Sequence, residues 1–171
     1  IYYELRQKIK ILDINNSNIN RAEQLFNKTN QFNFTTNRYN KNQLINIKNK
    51  PFTTIKLLSL SDKFGEHGII GSFIYIHQKN CIIVSDFLLS CRILSRKIEE
   101  YIIYLIQKKN KNREVYLRHV KTDKNKELIK IFLENNSFQK VSKKMIDKFK
   151  FKGELYKVLL NKKLKNVEKF F

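Results

Sequence analysis

Asp86, Cys91 and His67 are the side chains placed where they could move a proton or accept an acyl group. Asp86 lies in the apolar run CIIVSDFLL (81–89), which reads as a strand. A carboxylate there serves as a general base if a cleft opens beside it, and as a solvent-facing side chain if the strand is an edge. Cys91 follows directly, ahead of a stretch from Ile93 to Lys109 whose Leu94, Ile98, Ile102 and Leu105 share one helical face. A thiol at a cationic helix start has a lowered pKa and can act as nucleophile; a small buried residue closing a strand is the plainer reading. His67, in the turn DKFGEHG (62–68), is a second candidate base. His77 and His119 have no partner that spacing reveals, and no grouping of His, Cys and Asp has metal-ligand spacing.

The junction LLSCRILSRKIEE (88–100) carries Arg92, Arg96 and Lys97 where the strand runs into the predicted helix. Cations at a helix N-terminus cost about 0.3–1 kcal/mol each. They are tolerated where an anion sits on the free backbone N–H groups. The chain has only seven arginines, so two within five residues point to a phosphate-bearing ligand at this turn. For Lys97 a solvated surface lysine remains the alternative. A second unusual stretch is KTNQFNFTTNRYN (28–40), rich in Asn and Thr yet set with Phe32, Phe34 and Tyr39. Its polar side chains either cap their own backbone or face a ligand, while Phe32 and Phe34 anchor it in a core.

The elements that must position these residues follow from hydrophobic period. Strands are predicted over 7–14, 53–61, 69–77, 81–89, 114–120, 138–143 and 153–160. Helices are predicted around Ile19, Ala22, Leu25 and Phe26, then over 41–49 (closed by Pro51), 93–109 and 122–136. The order β-α-α-β-β-β-α-β-α-β-β implies an α/β fold, a mixed and mostly antiparallel sheet of six to seven strands flanked by helices. One domain over 1–161 is expected, with a basic tail over 162–171 that frays.

The net charge of +20 invites a nucleic-acid partner, but Lys and Asn and Ile share A- and T-rich codons and the lysines are spread along the chain. No dedicated nucleic-acid function is expected, and no membrane partner, since no apolar run is long enough to span a bilayer. Cys81 and Cys91 flank one strand, roughly 30 Å apart, too far for a disulfide. A reduced, cytoplasmic setting is expected.

The element order and the junction at 88–100 resemble the GNAT acyltransferases. In that family the fourth strand splays from the fifth, pantetheine lies in the gap, and a turn of pattern Q/R-x-x-G-x-G/A wraps the pyrophosphate. Arg92 matches that turn, while Ser95 and Lys97 replace its glycines. The resemblance implies acyl-CoA or phosphopantetheine as cofactor, held by Leu88, Leu89, Arg92, Ser95, Arg96, Lys97 and Asn125. It places residues 28–40 over the acceptor end of the cleft, with Asn30, Gln31, Asn33, Thr35 and Thr36 offering polar groups to substrate. The family's general-acid tyrosine is missing: Leu133 stands there, and Ser137 stands for a following glycine.

Four blocks resemble more closely the C-terminal domain of FkbH-like proteins: RAEQLFNKTNQFNFTTNRY (21–39), SDKFGEHGIIG (61–71), FLLSCRILSRKIEE (87–100) and KTDKNKELIKIFLENNSF (121–138). Those proteins join a HAD-type phosphatase domain to a GNAT-like one. The resemblance implies handling of acyl or glyceryl units for an acyl carrier protein in polyketide or surface-polysaccharide assembly. A phosphatase domain is expected upstream of Ile1 or in a partner chain, since no DxD-type signature occurs here. A non-catalytic module that docks an acidic acyl carrier protein is the alternative, and a nucleic-acid-binding protein a second one.

Overall fold

The computed structural model describes residues 2–135, 138–159 and 162–171. Among them, strands β1 (Lys8–Asp13), β2 (Thr53–Asp62), β3 (Gly65–His77), β4 (Cys81–Leu89), β5 (Glu114–His119), β6 (Phe138–Lys140) and β7 (Glu154–Val158) form one sheet ordered β1-β2-β3-β4-β5-β7-β6. Its one parallel pair is β4–β5; the other pairs are antiparallel. The helices are α1 (Tyr2–Leu5), α2 (Ile19–Lys28), α3 (Lys41–Asn49), α4 (Ile98–Lys109), α5 (Lys126–Asn135), α6 (Lys143–Phe149) and α7 (Lys162–Lys165). The architecture is the expected α/β one.

All nine residues of β4 are buried, as a central strand covered on both faces requires. Ile82, Val84, Phe87 and Leu89 join the core that includes α4 and α5. Leu88 joins the opposite core with Ile55, Leu57 and Ile74, under Ala22, Leu25, Phe26 and Leu44 of α2 and α3. Farther along that face Ile83, Tyr116 and Leu155 pack against Met145, Ile146 and Phe149 of α6. Gly71 lets β3 and β4 come this close, because a Cβ there would lie 2.6 Å from the Leu88 carbonyl oxygen. The start of α3 is set locally: Asn40 accepts from Gln43 N–H while the Gln43 side chain accepts from Asn40 N–H.

Four expectations need correction. The helix predicted from Ile93 begins at Ile98; before it come a 3₁₀ turn, Cys91–Ile93, and left-handed residues Ser95 (φ 66°) and Lys97 (φ 67°). Left-handed backbone cannot belong to a right-handed helix, so the cations precede the helix instead of lying within its first turn. The strand predicted over 138–143 stops at Lys140, and α6 opens behind Ser142 to pack the half-buried Met145, Ile146 and Phe149 on the sheet. The third strand starts at Gly65, so the preceding turn is shorter than 62–68. The basic tail does not fray: Leu164 and Val167 are buried, Phe171 stacks on Tyr101 at 4.0 Å, and Tyr104 donates to Glu168 at 2.7 Å. Apolar residues spaced among the tail's lysines supply that anchoring.

Candidate functional site

Strands β4 and β5 pair only from Cys81–Glu114 to Val84–Leu117. At that point the β3–β4 register jumps from Tyr75–Val84 to Ile74–Asp86, leaving Ser85 as the extra residue of a bulge. Beyond the bulge β4 departs from β5, and the crevice at the carboxyl ends of parallel strands is where α/β sheets take ligands. Here that crevice holds the chain's own residues 32–34. Leu89 N–H donates to the Phe32 carbonyl (3.0 Å), Phe34 N–H to the Phe87 carbonyl (3.0 Å) and Val120 N–H to the Phe34 carbonyl (2.8 Å), with Asn33 bridged to Leu88. Phe32 and Phe34 are 2% and 0% exposed, and both lie against Phe87 and Phe132.

The bulge turns Asp86 to the face covered by the 28–40 loop, where it is 4% exposed. It accepts hydrogen bonds from Thr35 Oγ1 (2.6 Å), Asn37 Nδ2 (2.8 Å) and Ser85 Oγ (3.1 Å), and the Tyr39 hydroxyl is 3.4 Å from Oδ2. Burial raises the Asp86 pKa; its hydrogen bonds and the charge of Arg118 oppose that without cancelling it. Burial and the adjacent Asp86 push Tyr39 up to about 12. A carboxylate so placed is a strong proton acceptor once a nucleophile reaches it.

The other sequence-predicted residues form separate groups. His67 Nε2 lies 2.7 Å from Asp62 Oδ2, which also accepts from Arg96 Nη1 at 2.9 Å. Burial works to raise Asp62, but hydrogen bonds from Phe64 N–H, His67 and Arg96 outweigh it and hold the carboxylate below its ordinary range. Thus Arg96 pins the 91–97 turn to the β2–β3 hairpin. Lys97 pairs with Glu100 at 3.0 Å. Arg92 is exposed, and its charge, after burial, lowers the pKa of Arg21. Cys91 is also exposed and stands seven residues ahead of α4, so the helix start invoked to activate it lies elsewhere.

At the positions where the glycines were expected, Ser95 and Lys97 keep the left-handed backbone that glycine favours. The Ser95 N–H donates to Glu99 Oε1 at 3.2 Å, so a carboxylate of the protein already sits on this turn. Glu99 is raised to about 7, first by burial and then by Glu100. Asn125, fully buried, donates to the Asn33 carbonyl (2.8 Å) and the Val120 carbonyl (3.0 Å). Leu88 and Leu89 supply the strand edge that residues 32–34 occupy.

Of the predicted substrate wall, Thr35 reaches Asp86, Asn33 Oδ1 accepts from Thr36 N–H (2.8 Å), and the Thr36 hydroxyl donates to the Thr35 carbonyl (2.7 Å). Asn30 accepts from Arg38, and Gln31 is exposed at the tip. Leu133 is buried on α5, and Ser137 lies outside the described residues. Sequence reasoning missed Asn37, Tyr39 and Ser85 as the surroundings of Asp86. Tyr39 was visible as an aromatic in a polar loop, but nothing in its spacing tied it to a strand 47 residues away. Also unforeseen is a groove of about 550 Å³ between α5 and the β6–β7 hairpin, lined by His119, Lys130, Lys140 and Tyr156 among others.

No family model and no curated protein matches this chain. Solved structures do. A GNAT-family acetyltransferase from Staphylococcus aureus Mu50 superposes with a TM-score of 0.60 at 18% identity, over 90% of this chain and 100% of that one. Ard1 from Thermoplasma volcanium gives 0.58 at 12%, over 89% and 99%. PaiA N-acetyltransferase from Thermoplasma acidophilum, solved with coenzyme A, gives 0.58 at 13%, over 88% and 97%. At these identities the likeness establishes the fold alone: the chain has the GNAT fold.

Proposed function

We propose that this domain transfers an acyl group delivered on a pantetheine arm, as the GNAT-like part of an FkbH-like protein. The arm belongs either to coenzyme A, which the PaiA neighbour from Thermoplasma acidophilum was solved with, or to an acyl carrier protein. The observation that carries the reading is Asp86, a buried carboxylate on the bulge of β4 where β4 and β5 part. In this reading the acceptor's oxygen or nitrogen attacks the thioester carbonyl and gives its proton to Asp86. The C–S bond then breaks, and the thiolate takes that proton from Asp86, which returns to the carboxylate. Residues 32–34 must leave the strand edge for the arm to lie along it.

A transfer assay with acyl-carrier and acetyl-CoA donors tests this. Replacing Asp86 by Asn is expected to lower turnover about 10²–10⁴-fold with the fold intact; undiminished turnover would overturn the reading. The glyceryl and polyketide or polysaccharide setting, and a HAD-type phosphatase domain in the same or a partner chain, rest on the four resembling blocks alone.

The filled crevice favours a second reading, a carrier-docking module without catalysis. Truncating a buried Phe costs about 3–5 kcal/mol, and a ligand binding at 1 μM gains about 8 kcal/mol. Displacing Phe32 and Phe34 together would consume most of that gain. Calorimetry separates the readings: carrier binding without any turnover supports the docking module.

A further inference from the structure

Resting on the acyl-transfer reading, we infer that residues 32–34 are an internal competitor of the pantetheine arm, holding the same strand edge that the arm must use. Two outward groups of β4 past its bulge, the Phe87 carbonyl and the Leu89 N–H, are taken by the segment at 3.0 Å each. An extended chain bearing two amides, as a pantetheine arm does, makes that same pair of bonds, because adding to an open strand edge requires an acceptor and a donor at strand spacing. The two occupants exclude each other, since these edge groups are bonded to the segment, whose backbone stands between β4 and Val120 at the end of β5, while its Phe rings are buried beside Phe87.

The segment's backbone is held by a few directed bonds, while its two Phe rings are seated in the core. It is not continued as a strand: its ladder is the single bridge Asn33–Leu88. Asn125 clamps its middle carbonyl at 2.8 Å, and Asn33 braces the turn by donating to the Thr29 carbonyl and accepting from Thr35 and Thr36 N–H. Thr36 pays a left-handed backbone (φ 55°) to bring the chain back out. Phe32, Asn33 and Phe34 therefore decide which donors the domain accepts. An arm that comes with a docked carrier gains protein contacts that help expel the segment, and a free arm does not.

The test compares acetyl-CoA binding by calorimetry in the natural chain and in Asn33→Ala, which removes the side-chain bonds that brace the turn and keeps the backbone bridge to Leu88 and both Phe rings. Amide hydrogen exchange is followed in both. The variant is expected to bind at least tenfold more tightly, about 1.4 kcal/mol. In the natural chain's complex the Phe34 and Val120 amides are expected to lose protection while the Leu89 amide keeps it, its acceptor now being the arm. Equal affinities, with the Phe34 and Val120 amides still protected in the complex, overturn the competitor and leave acyl transfer standing. Binding of acetyl-CoA by neither chain overturns the competitor, since loosening the segment then opens nothing, and leaves carrier-borne transfer to the assay above. The exchange measurement on the natural chain keeps the inference testable should the variant fail to fold.

Discussion

At the residue scale, two buried carboxylates behave oppositely to ordinary surface acids. Asp86 is raised by burial, so its conjugate base is scarce at low pH. Turnover that depends on it is expected to fall as pH drops through a value above the usual aspartate range, and Asp86→Asn is expected to abolish that limb of the pH profile. Glu99 carries a stability signature instead. Its folded pKa, about 7, exceeds its ordinary 4.5, so the folded state holds the proton more tightly and stability is lost as pH rises from about 4.5 through 7. The whole effect is at most about 3 kcal/mol. Glu99→Gln is expected to raise the melting temperature at pH 8 by several degrees and to leave it nearly unchanged at pH 4, read by thermal unfolding at both pH values.

At the element scale, the turn before α4 and the segment after β7 make opposite predictions. Ser95 holds φ 66°, a conformation costing a side-chain-bearing residue about 1 kcal/mol. Ser95→Gly is expected to stabilise by up to about that amount in denaturant unfolding; a loss would show that contacts of the serine outweigh the strain. Leu164, in α7, is fully buried against the α4 side of the sheet. Leu164→Ala is expected to cost about 2–5 kcal/mol, a value that a fraying tail could not produce. These elements also show what local pattern conveys. The α3 start was legible because Asn40 and Gln43 close a box within four residues, and β4 because apolar residues run on both sides of Ser85 and Asp86. The α4 start was not, because Ile93, Leu94 and Ile98 keep helical spacing across a turn whose two left-handed residues lack the glycines that would have announced it.

At the scale of the whole molecule, 35 basic against 15 acidic residues give the chain a net charge of +20 and a positive potential around it. Encounter with an acidic carrier protein is expected to be fast at low salt and to slow steeply as the ionic strength rises, because charges farther apart than about 8 Å are screened at 0.15 M. Stopped-flow association at increasing salt measures this; a salt-independent rate would remove steering as the purpose of the charge. An RNA oligomer in the same calorimeter is expected to bind only weakly and without sequence preference.

Taken alone, the sequence determined the α/β element order from β1 to β6, the burial of Phe32 and Phe34, and the suspicion attached to Asp86 and the 91–97 turn. These are matters of period, polarity and neighbours along the chain. Only the tertiary structure decided that a loop from the first third of the chain fills the gap between β4 and β5, that Asp62 claims Arg96, and that Glu99 rests on the turn expected to hold phosphate. Each of those is a bond between groups whose partnership depends on backbone direction: a bulge at Ser85 and left-handed residues at Ser95 and Lys97 aim them. Such angles leave no trace in hydrophobic pattern, because they change which way a strand edge or an N–H points without changing which residues are buried.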